Sequence, residues 1–383
     1  MTFVWPMRPI GELVAPINRQ EMPEPGVNYR QIGVRWWGEG VYERESVDGG
    51  VTLYKTFNRI QSDDIVYNKI WARHGSVSVV PKELDGCYCS AEFPLHRVKD
   101  ELLDTRWFYW LTKCRWFWGK CDEQSRGTSG KNRIRPEQFL AIKIPLPSLA
   151  EQRRIVVRIE AIATRVDEGR RLRQEIQNDA KVLLHSVFHR FIQGAAYRPL
   201  AEVAPIVRRP VAIELDASYE EIGIRSFHKG PFFKCVSLGA DISHKAMFQM
   251  VPGDLVFSNI MAWEGGIAVV RPEDQGRIGV HRFITCIPRP GVADAQFLWF
   301  YFQTKQGFEK IVAASPATIA RNRTLSVKKL EAIKVPVPTY DKQEAFAILQ
   351  RKISAIHQTQ AASQPELDAL LPVVLDKAFK GEL

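Results

Sequence analysis

The sequence predicts an α+β fold: two similar α/β globular domains separated by two long antiparallel helices that form a coiled coil, with pseudo-twofold symmetry. Three observations predict it. One sequence unit occurs twice in the same order, each copy is rich in β-strand signals, and each copy ends in a long segment of helical periodicity. The implied boundaries are 1–148 for the first domain, 149–195 for the first helix, 196–338 for the second domain and 339–383 for the second helix.

The repeat consists of five matches that occur in the same order in both halves. The first pairs YRQIGVR, residues 29–35, with YEEIGIR, residues 219–225, which is an offset of 190. The other matches pair 62–80 with 252–270, Trp107–Lys113 with Trp299–Lys305 after a small insertion, 130–147 with 320–338 with one inserted residue, and the segments that end at Gly194 and Gly381. Five matches in one order indicate a tandem duplication.

Each copy has the same order of local signals. DIVYNKI at 64–70 and DLVFSNI at 254–260 are short runs of β-branched and aromatic residues, and each is followed by a glycine-marked turn and another apolar run. An aromatic stretch with helical character comes next. The segments IKIPLP and IKVPVP then predict a closing strand outside the centre of a sheet, because proline blocks both helix and central ladder pairing.

The segment Leu149–Ile192 lacks proline and predicts a helix of about 60 Å at 1.5 Å per residue. Apolar residues recur three or four positions apart in both helical segments, at Ile155, Ile159, Ile162 and Val166 and at Phe346, Leu349, Ile353 and Ile356. Since neither helix can bury this stripe alone, we expect the two to pair; the alternative is that each lies on its own domain. Gly169 and the run at 361–366 predict a kink or short break in each helix.

Composition limits the classes of function. The net charge of +10 and the pI near 9.3 favour a polyanionic partner, although a basic solvated surface has the same composition. No apolar stretch reaches the roughly 20 residues of a membrane span and no secretory signal is visible, so we expect a cytoplasmic protein without a membrane partner. The six cysteines contain no CxxC pair, and His185 and His189 lack a visible third ligand, so no metal site is expected.

Catalytic motifs are missing from the sequence. It has no amino-methylation motif of the [DNS]PP[YFW] type, no glycine-rich loop for a methyl donor, no P-loop and no carboxylate cluster typical of a nuclease. We therefore predict a non-enzyme with no catalytic, cofactor or metal residues. Two alternatives stay open: an enzyme that retains its own methyltransferase or nuclease activity, and a scaffold whose two domains bind protein.

The order of β-rich domain, PxP strand and EQRRI helix at 151–155, repeated to the terminal FKGEL, resembles the specificity subunit of Type I restriction-modification systems. The resemblance implies two target-recognition domains that each read one half of a split double-stranded DNA target. It implies conserved helices that set the gap and dock two methyltransferase (M) subunits, with restriction (R) subunits in the full complex. S-adenosylmethionine, ATP and Mg would then belong to the partner subunits, and this chain would hold no cofactor.

Two groups of residues are candidates for DNA contact. The first combines small residues with side chains suited to phosphates or bases: Lys131, Asn132 and Arg133 in one copy, Arg321, Asn322 and Arg323 in the other. The second follows the paired strands and differs between copies: Lys69, Arg73 and His74 against Asn259 and Trp263. A structural turn explains the first group equally well, and ordinary drift after duplication explains the second. Trp36 and Trp37 either stack on bases or lie in the core.

Overall fold

The computed structural model describes residues 4–125, 132–316 and 323–383. The chain forms two compact units. Unit 1 comprises Met1–Gln174 together with Gln360–Leu383, and unit 2 comprises Glu175–Thr359. Each unit therefore contains one copy of the globular sequence and parts of both helical segments.

The first half of the chain alternates short strands and short helices before one long helix. Its strands are β1 (Met7–Pro9), β2 (Val14–Ile17), β3 (Gln20–Glu21), β4 (Asn28–Tyr29), β5 (Ile32–Val34), β6 (Val41–Glu43), β7 (Val47–Asp48), β8 (Phe57–Arg59), β9 (Ile65–Tyr67), β10 (Val77–Val79), β11 (Tyr88–Cys89), β12 (Leu95–Val98) and β13 (Lys143–Pro145). Its helices are α1 (Ile10–Leu13), α2 (Thr105–Leu111), α3 (Arg115–Gln124), α4 (Pro136–Leu140) and the long α5 (Leu149–Ile192).

The second half repeats this order. Its strands are β14 (Ala196–Pro199), β15 (Ser218–Ile224), β16 (Pro231–Leu238), β17 (Met247–Gln249), β18 (Leu255–Ser258), β19 (Ile267–Val269), β20 (Ile278–Val280), β21 (Phe283–Cys286) and β22 (Lys334–Val337). Its helices are α6 (Leu200–Val203), α7 (Gly239–Ile242), α8 (Ala295–Tyr301), α9 (Lys305–Ala314), α10 (Val327–Glu331), α11 (Tyr340–Ala362) and α12 (Gln364–Lys380).

The sheets of the two units have related topologies. Unit 1 has a four-stranded antiparallel sheet in the order β10-β9-β12-β2 and a three-stranded sheet in the order β11-β8-β3. Unit 2 has β19-β18-β21 and a four-stranded sheet β16-β15-β20-β17, in which β15 and β20 are parallel. The proline-containing strands β13 and β22 each pair only with β1 or β14 among the described residues, which agrees with the prediction that they lie outside the sheet centres.

Helices α2 and α8 correct one detail of the predicted repeat. They begin after the N-cap residues Asp104 and Asp294, which keeps the offset at 190. Trp107 and Phe297 are both fully buried at the same helical position. The alignment of Trp107 with Trp299 after an insertion is therefore wrong by two residues, because similar aromatic runs start two positions apart in helices that have the same length in both copies.

The single inserted residue predicted before the closing strand is confirmed. The N–H of Ile134 donates to the carbonyl of Lys69 at 2.9 Å, and the N–H of Leu325 donates to the carbonyl of Asn259 at 2.8 Å. Lys69 and Asn259 are 190 residues apart, whereas Ile134 and Leu325 are 191 apart. The extra residue of the second copy therefore precedes Leu325.

A buried ion pair is common to both units. The guanidinium of Arg19 binds the fully buried carboxylate of Asp64, with a shortest N–O distance of 2.6 Å. Arg209 and Asp254 repeat this pair at the same distance. Each carboxylate also accepts a backbone N–H three residues before it, so the buried charge is matched by several donors.

Two buried glutamines fix the start of each long helix to its globular part. The side-chain oxygen of Gln152 accepts the N–H of Asp104, and its amide nitrogen donates to the carbonyls of Leu102 and Pro147. Gln343 makes the same three bonds to Asp294, Val292 and Pro338. Both side chains are fully buried, so every bond replaces a lost contact with water.

The helices pair within each unit. In unit 1, Arg170 binds Asp368 at 3.0 Å and Arg154 donates to the carbonyl of Leu383, so α5 and α12 are antiparallel there. In unit 2, Phe188 of α5 packs against Phe346 of α11, with ring centroids 5.4 Å apart. The predicted pairing of the helical segments is therefore confirmed inside both units.

The two expected helix interruptions have different outcomes. Helix α5 continues through Gly169 as one helix of 44 residues, so the break expected there is wrong. A single glycine costs only about 1 kcal/mol in a helix, which is too little to end a helix of this length. The second interruption is confirmed, because α11 ends at Ala362 and α12 begins at Gln364, with Pro365 in its first turn.

Replacing either glutamine should destabilise the fold. Gln152→Leu or Gln343→Leu leaves one buried N–H and two carbonyls without a partner, at about 1–3 kcal/mol for each group that water cannot reach. We expect a lower midpoint of thermal unfolding by circular dichroism in both variants. Gln358→Leu, an exposed position of α11, is the matched control and should leave the midpoint near that of the wild type. Equal midpoints in all three variants would contradict the assignment.

Candidate nucleic-acid interface

A short loop joins β9 to the edge strand β10 in unit 1 and β18 to the edge strand β19 in unit 2, and it contains residues that the sequence singled out. In unit 1 it follows β9 and forms a single 3-10 turn at Ala72–His74. In unit 2 it follows β18 and forms the same turn at Ala262–Glu264. We call residues 68–75 and 258–265 the hairpin loops. Gly75 and Gly265 end them with φ of +81° and +79°, a left-handed conformation that favours glycine.

A second segment in each unit docks on the hairpin loop. We call residues 36–38 and 226–228 the aromatic turns. The N–H of Trp37 donates to the carbonyl of His74 at 2.6 Å, and the N–H of Phe227 donates to that of Glu264 at 2.7 Å. The N–H of Gly38 donates to the carbonyl of Gly75, and the N–H of His228 donates to the carbonyl of Gly265. The same backbone frame is therefore built twice.

The aromatic turns adopt an unusual backbone conformation. Trp37 has φ of +58° and Phe227 has φ of +59°, which is uncommon for residues other than glycine. Both side chains are largely exposed, at 57% and 71%. A strained backbone that presents a large apolar side chain to solvent is typical of a functional site, because neither feature favours folding.

Different pairs of residues fill the space beneath the two aromatic turns, and in each pair the size of one residue compensates for that of the other. In unit 1, Gly38 leaves room for the indole of Trp118, which would lie 3.2 Å from an added Cβ. In unit 2, the corresponding residue is His228, whose ring packs on Gly265 and lies 5.6 Å from Phe308. Burial lowers the pKa of His228, so its imidazole is kept neutral as a packing group.

The exposed surface over this frame differs strongly between units. In unit 1, the ring centroid of Trp36 lies 4.7 Å from that of Trp71 and 5.7 Å from that of His74. The ring centroids of Trp37 and His74 are 5.6 Å apart. These four side chains form one aromatic surface. We therefore resolve the alternatives for Trp36 and Trp37: both are exposed rather than in the core.

Unit 2 carries a mixed surface at the same positions. Ser226 donates a hydrogen bond to Glu264 at 3.3 Å, in place of the contact between Trp36 and His74. The guanidinium of Arg323 lies over the ring of Trp263, 5.6 Å from its centroid. One carboxylate, one cation and two aromatic rings, with Phe227 as the second, therefore replace the aromatic surface of unit 1.

One exposed arginine beside each aromatic turn is the same in both units. The guanidinium carbon of Arg35 lies 5.0 Å from the centroid of the Tyr42 ring, and that of Arg225 lies 4.8 Å from the centroid of the Phe232 ring. Neither forms an ion pair within residues 4–125, 132–316 and 323–383. Both cations are thus held in place by a ring and are available to an anion.

The structure brings the two predicted groups of contact residues together. Ile134 and Leu325 tie the chain that follows Arg133 and Arg323 to the hairpin loops at Lys69 and Asn259. Arg133 forms an ion pair with Glu92, and Asn132 is half-buried beside it in sequence. Arg73 and His74 are half-buried in the hairpin loop. Three further predicted contact residues lie outside the described residues: Lys131, Arg321 and Asn322.

The aromatic turn as the partner of the hairpin loop was not predicted. A signal was present, since the aligned segments RWWGEG at 35–40 and RSFHKG at 225–230 both keep an arginine, an aromatic residue and a final glycine. Gly40 and Gly230 both have positive φ, and each carbonyl accepts the N–H of the arginine. Spacing alone did not indicate which loop the turn would contact.

Two absences hold for the part of the chain that the structure describes. No group of three or more His, Cys, Asp or Glu side chains is arranged to bind a metal ion. No described helix is long and apolar enough to cross a membrane.

Comparisons with known proteins agree on one family. The family described as Type I restriction modification DNA specificity domain matches residues 4–178. The specificity subunit of the Type I restriction enzyme StySPI from Salmonella potsdam is 28% identical over 151 residues. That alignment spans 37% of this chain and 31% of the relative, less than a third of its length.

Two solved structures share the fold along the whole chain. The HsdS subunit from Thermoanaerobacter tengcongensis aligns with a TM-score of 0.62 and 23% identity, over 99% of this chain and 97% of that one. A chain from a structure describing complex assembly and conformational transition of the type I R-M system aligns with a TM-score of 0.68 and 20% identity, over 99% and 98%. Residues 4–178, a little under half of the chain, are therefore similar to the Type I restriction modification DNA specificity domain, and the whole chain has the fold of these two solved structures.

Proposed function

We propose that this chain is the non-catalytic, sequence-specific DNA-recognition subunit of a Type I restriction-modification complex. Each globular domain reads one half of a split DNA target. One observation carries the proposal: the aromatic turn and hairpin loop have the same backbone in both units, but their exposed side chains differ. Two readers of different half-sites need this combination, because the frame sets the position on the duplex and the side chains select the bases.

The residues divide by role between the phosphates and the bases. Arg35 and Arg225 are the same in both units and are exposed, so we assign them to phosphates, which carry no sequence information. Arg73 and Trp263 occupy equivalent positions and differ, so we assign them to contacts that distinguish the two half-sites. We assign phosphate or base contacts also to the other candidates from the sequence: Lys69, His74, Lys131, Asn132, Arg133, Asn259, Arg321, Asn322 and Arg323. The net charge of +10 supports a polyanionic partner.

The helical segments, residues 149–195 and 339–383, are proposed to fix the gap between half-sites and to dock two M subunits. Exposed apolar residues on these helices support docking, since apolar side chains on a helix surface gain by packing against partner helices: Val157, Leu172, Ile176, Val182, Ile348 and Val373. R subunits complete the complex that cuts DNA. S-adenosylmethionine, ATP and Mg are then bound by the partner subunits, and the target-recognition domains are residues 1–148 and 196–338.

Methylation mapping tests the proposed function. The chain would be co-expressed with its M subunit, and the modified positions in the host genome would be mapped. We expect a split motif with two different halves and a constant gap. Binding of the complex to that motif, followed by gel shift, should weaken steeply with salt because phosphate contacts release counterions. A continuous motif, or salt-insensitive binding, would contradict the proposal.

Variants of the two aromatic turns test the assignment of one half-site to each unit. Trp37→Ala and Phe227→Ala remove equivalent exposed rings, and neither ring is needed to fill a core. Loss of a stacking contact should weaken binding by about tenfold or more and relax the mapped motif. We expect each variant to relax a different half. Relaxation of the same half by both, or of neither, would refute the assignment.

A further inference from the structure

Unit 1 contains a large cavity beside its aromatic turn. The cavity has a volume of about 1360 Å³ and extends from Trp37 and Arg73 to helix α12 at Leu371. The start of α3 forms another wall, with Trp116 and Trp118. Most of the exposed surface of this opening is apolar, charged side chains also line it, and it is large enough for a small ligand.

Unit 2 has a smaller cavity between α5 and the start of α9, and its lining includes no residue of the aromatic turn or hairpin loop. Its volume is about 400 Å³, and its lining includes Lys305 of α9 and the histidines His185 and His189 of α5. Lys305 is the equivalent of Arg115, which lines the cavity of unit 1. No tryptophan lines the cavity of unit 2. The duplication therefore provides an internal comparison, in which only unit 1 combines an enlarged cavity with tryptophan walls.

One buried donor in the lining of the unit 1 cavity has no hydrogen-bond partner in the part of the chain that the structure describes. Nε of Arg73 is buried and has no hydrogen-bond partner among the described residues. Such a donor is costly unless a ligand or water satisfies it. Arg115 is exposed at the start of α3. Cys114 does not cap this helix with its side chain, whereas the equivalent Thr304 caps α9 through the N–H of Gly307.

The carboxylates in the same lining limit the charge of the ligand. Two of the four are already in ion pairs, Asp368 with Arg170 and Asp376 with Lys380. Glu39 and Asp122 remain outside ion pairs within the described residues, and the cations Arg73, Lys113 and Arg115 line the same cavity. Because three cations are opposed by two carboxylates, the site suits an anion of low charge and opposes a triphosphate.

We propose that the cavity of unit 1 binds one nucleotide, with its base against Trp37 and Trp118 and its single phosphate at Arg73 and Arg115. A flat ring on an aromatic wall and a phosphate on guanidinium groups are the two interactions that this lining offers. The nucleotide has two potential sources. One is a nucleotide extruded from the bound duplex, which rests on the proposed function. The other is a free nucleoside monophosphate.

Titration of the full chain with dAMP, dCMP, dGMP and TMP tests the site directly. Binding places a base on tryptophan, so we expect saturable quenching of intrinsic fluorescence by at least one monophosphate. Arg115→Met and Arg73→Met should each weaken the binding about tenfold or more, because a charge-assisted contact to phosphate is lost. Lys305→Met is the matched control in unit 2 and should leave the titration unchanged. Since Arg73 Nε has no partner in the free chain, Arg73→Met should retain the thermal midpoint.

Mismatched duplexes distinguish the two sources. Single mismatches would be scanned through both halves of the mapped target, since a weakened pair is easier to extrude. If the nucleotide comes from DNA, one position in one half should bind about tenfold tighter when mismatched, and Arg115→Met should abolish that gain. If its source is a free monophosphate, quenching persists and no mismatch strengthens binding.

The proposal is overturned if no monophosphate quenches the fluorescence and no mismatch strengthens binding. It is equally overturned if Lys305→Met weakens binding as much as Arg115→Met. If either result is obtained while the complex still binds the matched duplex, the cavity proposal fails but the proposed function is retained. Loss of all duplex binding by the wild-type complex would instead remove the proposed function.

Discussion

The architecture depends on the buried glutamines at the start of each long helical segment. Gln152 and Gln343 each bond two backbone groups of the loop before α2 or α8 and one carbonyl after the proline-containing strand. The loop, the strand and the long helix therefore cannot move independently. A buried amide that satisfies all three partners has one geometry, and its loss leaves groups that water cannot reach. The interaction therefore converts a chain of separate elements into globular domains rigidly attached to their helices.

At the candidate interface, the backbone is the same in both units, whereas the exposed side chains differ. Backbone hydrogen bonds from the aromatic turn to the hairpin loop are independent of side-chain identity, which is why both copies retain them. The side chains above this frame are free to change, provided that the volume below it is filled. Gly38 with Trp118, and His228 with Phe308, are two solutions to that packing requirement. Duplication followed by divergence can then alter a surface without altering the fold that carries it.

The sequence predicted the architecture well, because periodicity and duplication are local signals. The offset of 190, the helical segments and the break near Pro365 could all be read from residue spacing. The expected break at Gly169 was wrong, since the weak preference of one glycine is too small to end a long helix. The candidate site was predicted only in part. Its loops were identified, but the contact of the aromatic turn with the hairpin loop, and the cavity beside Trp37, depend on pairings between distant segments that no spacing reveals.

A chain that carries the same globular domain twice tests whether each domain reads one half of the DNA target. Residues 7–147 would be replaced by residues 197–338 of the same sequence, which preserves the registers of β1 with β13 and of β14 with β22. Methylation by this chain with its M subunit would then be mapped across a genome. We expect a split motif whose two halves have the same base sequence. A motif that keeps two different halves would contradict it, because specificity would then lie outside the exchanged domain.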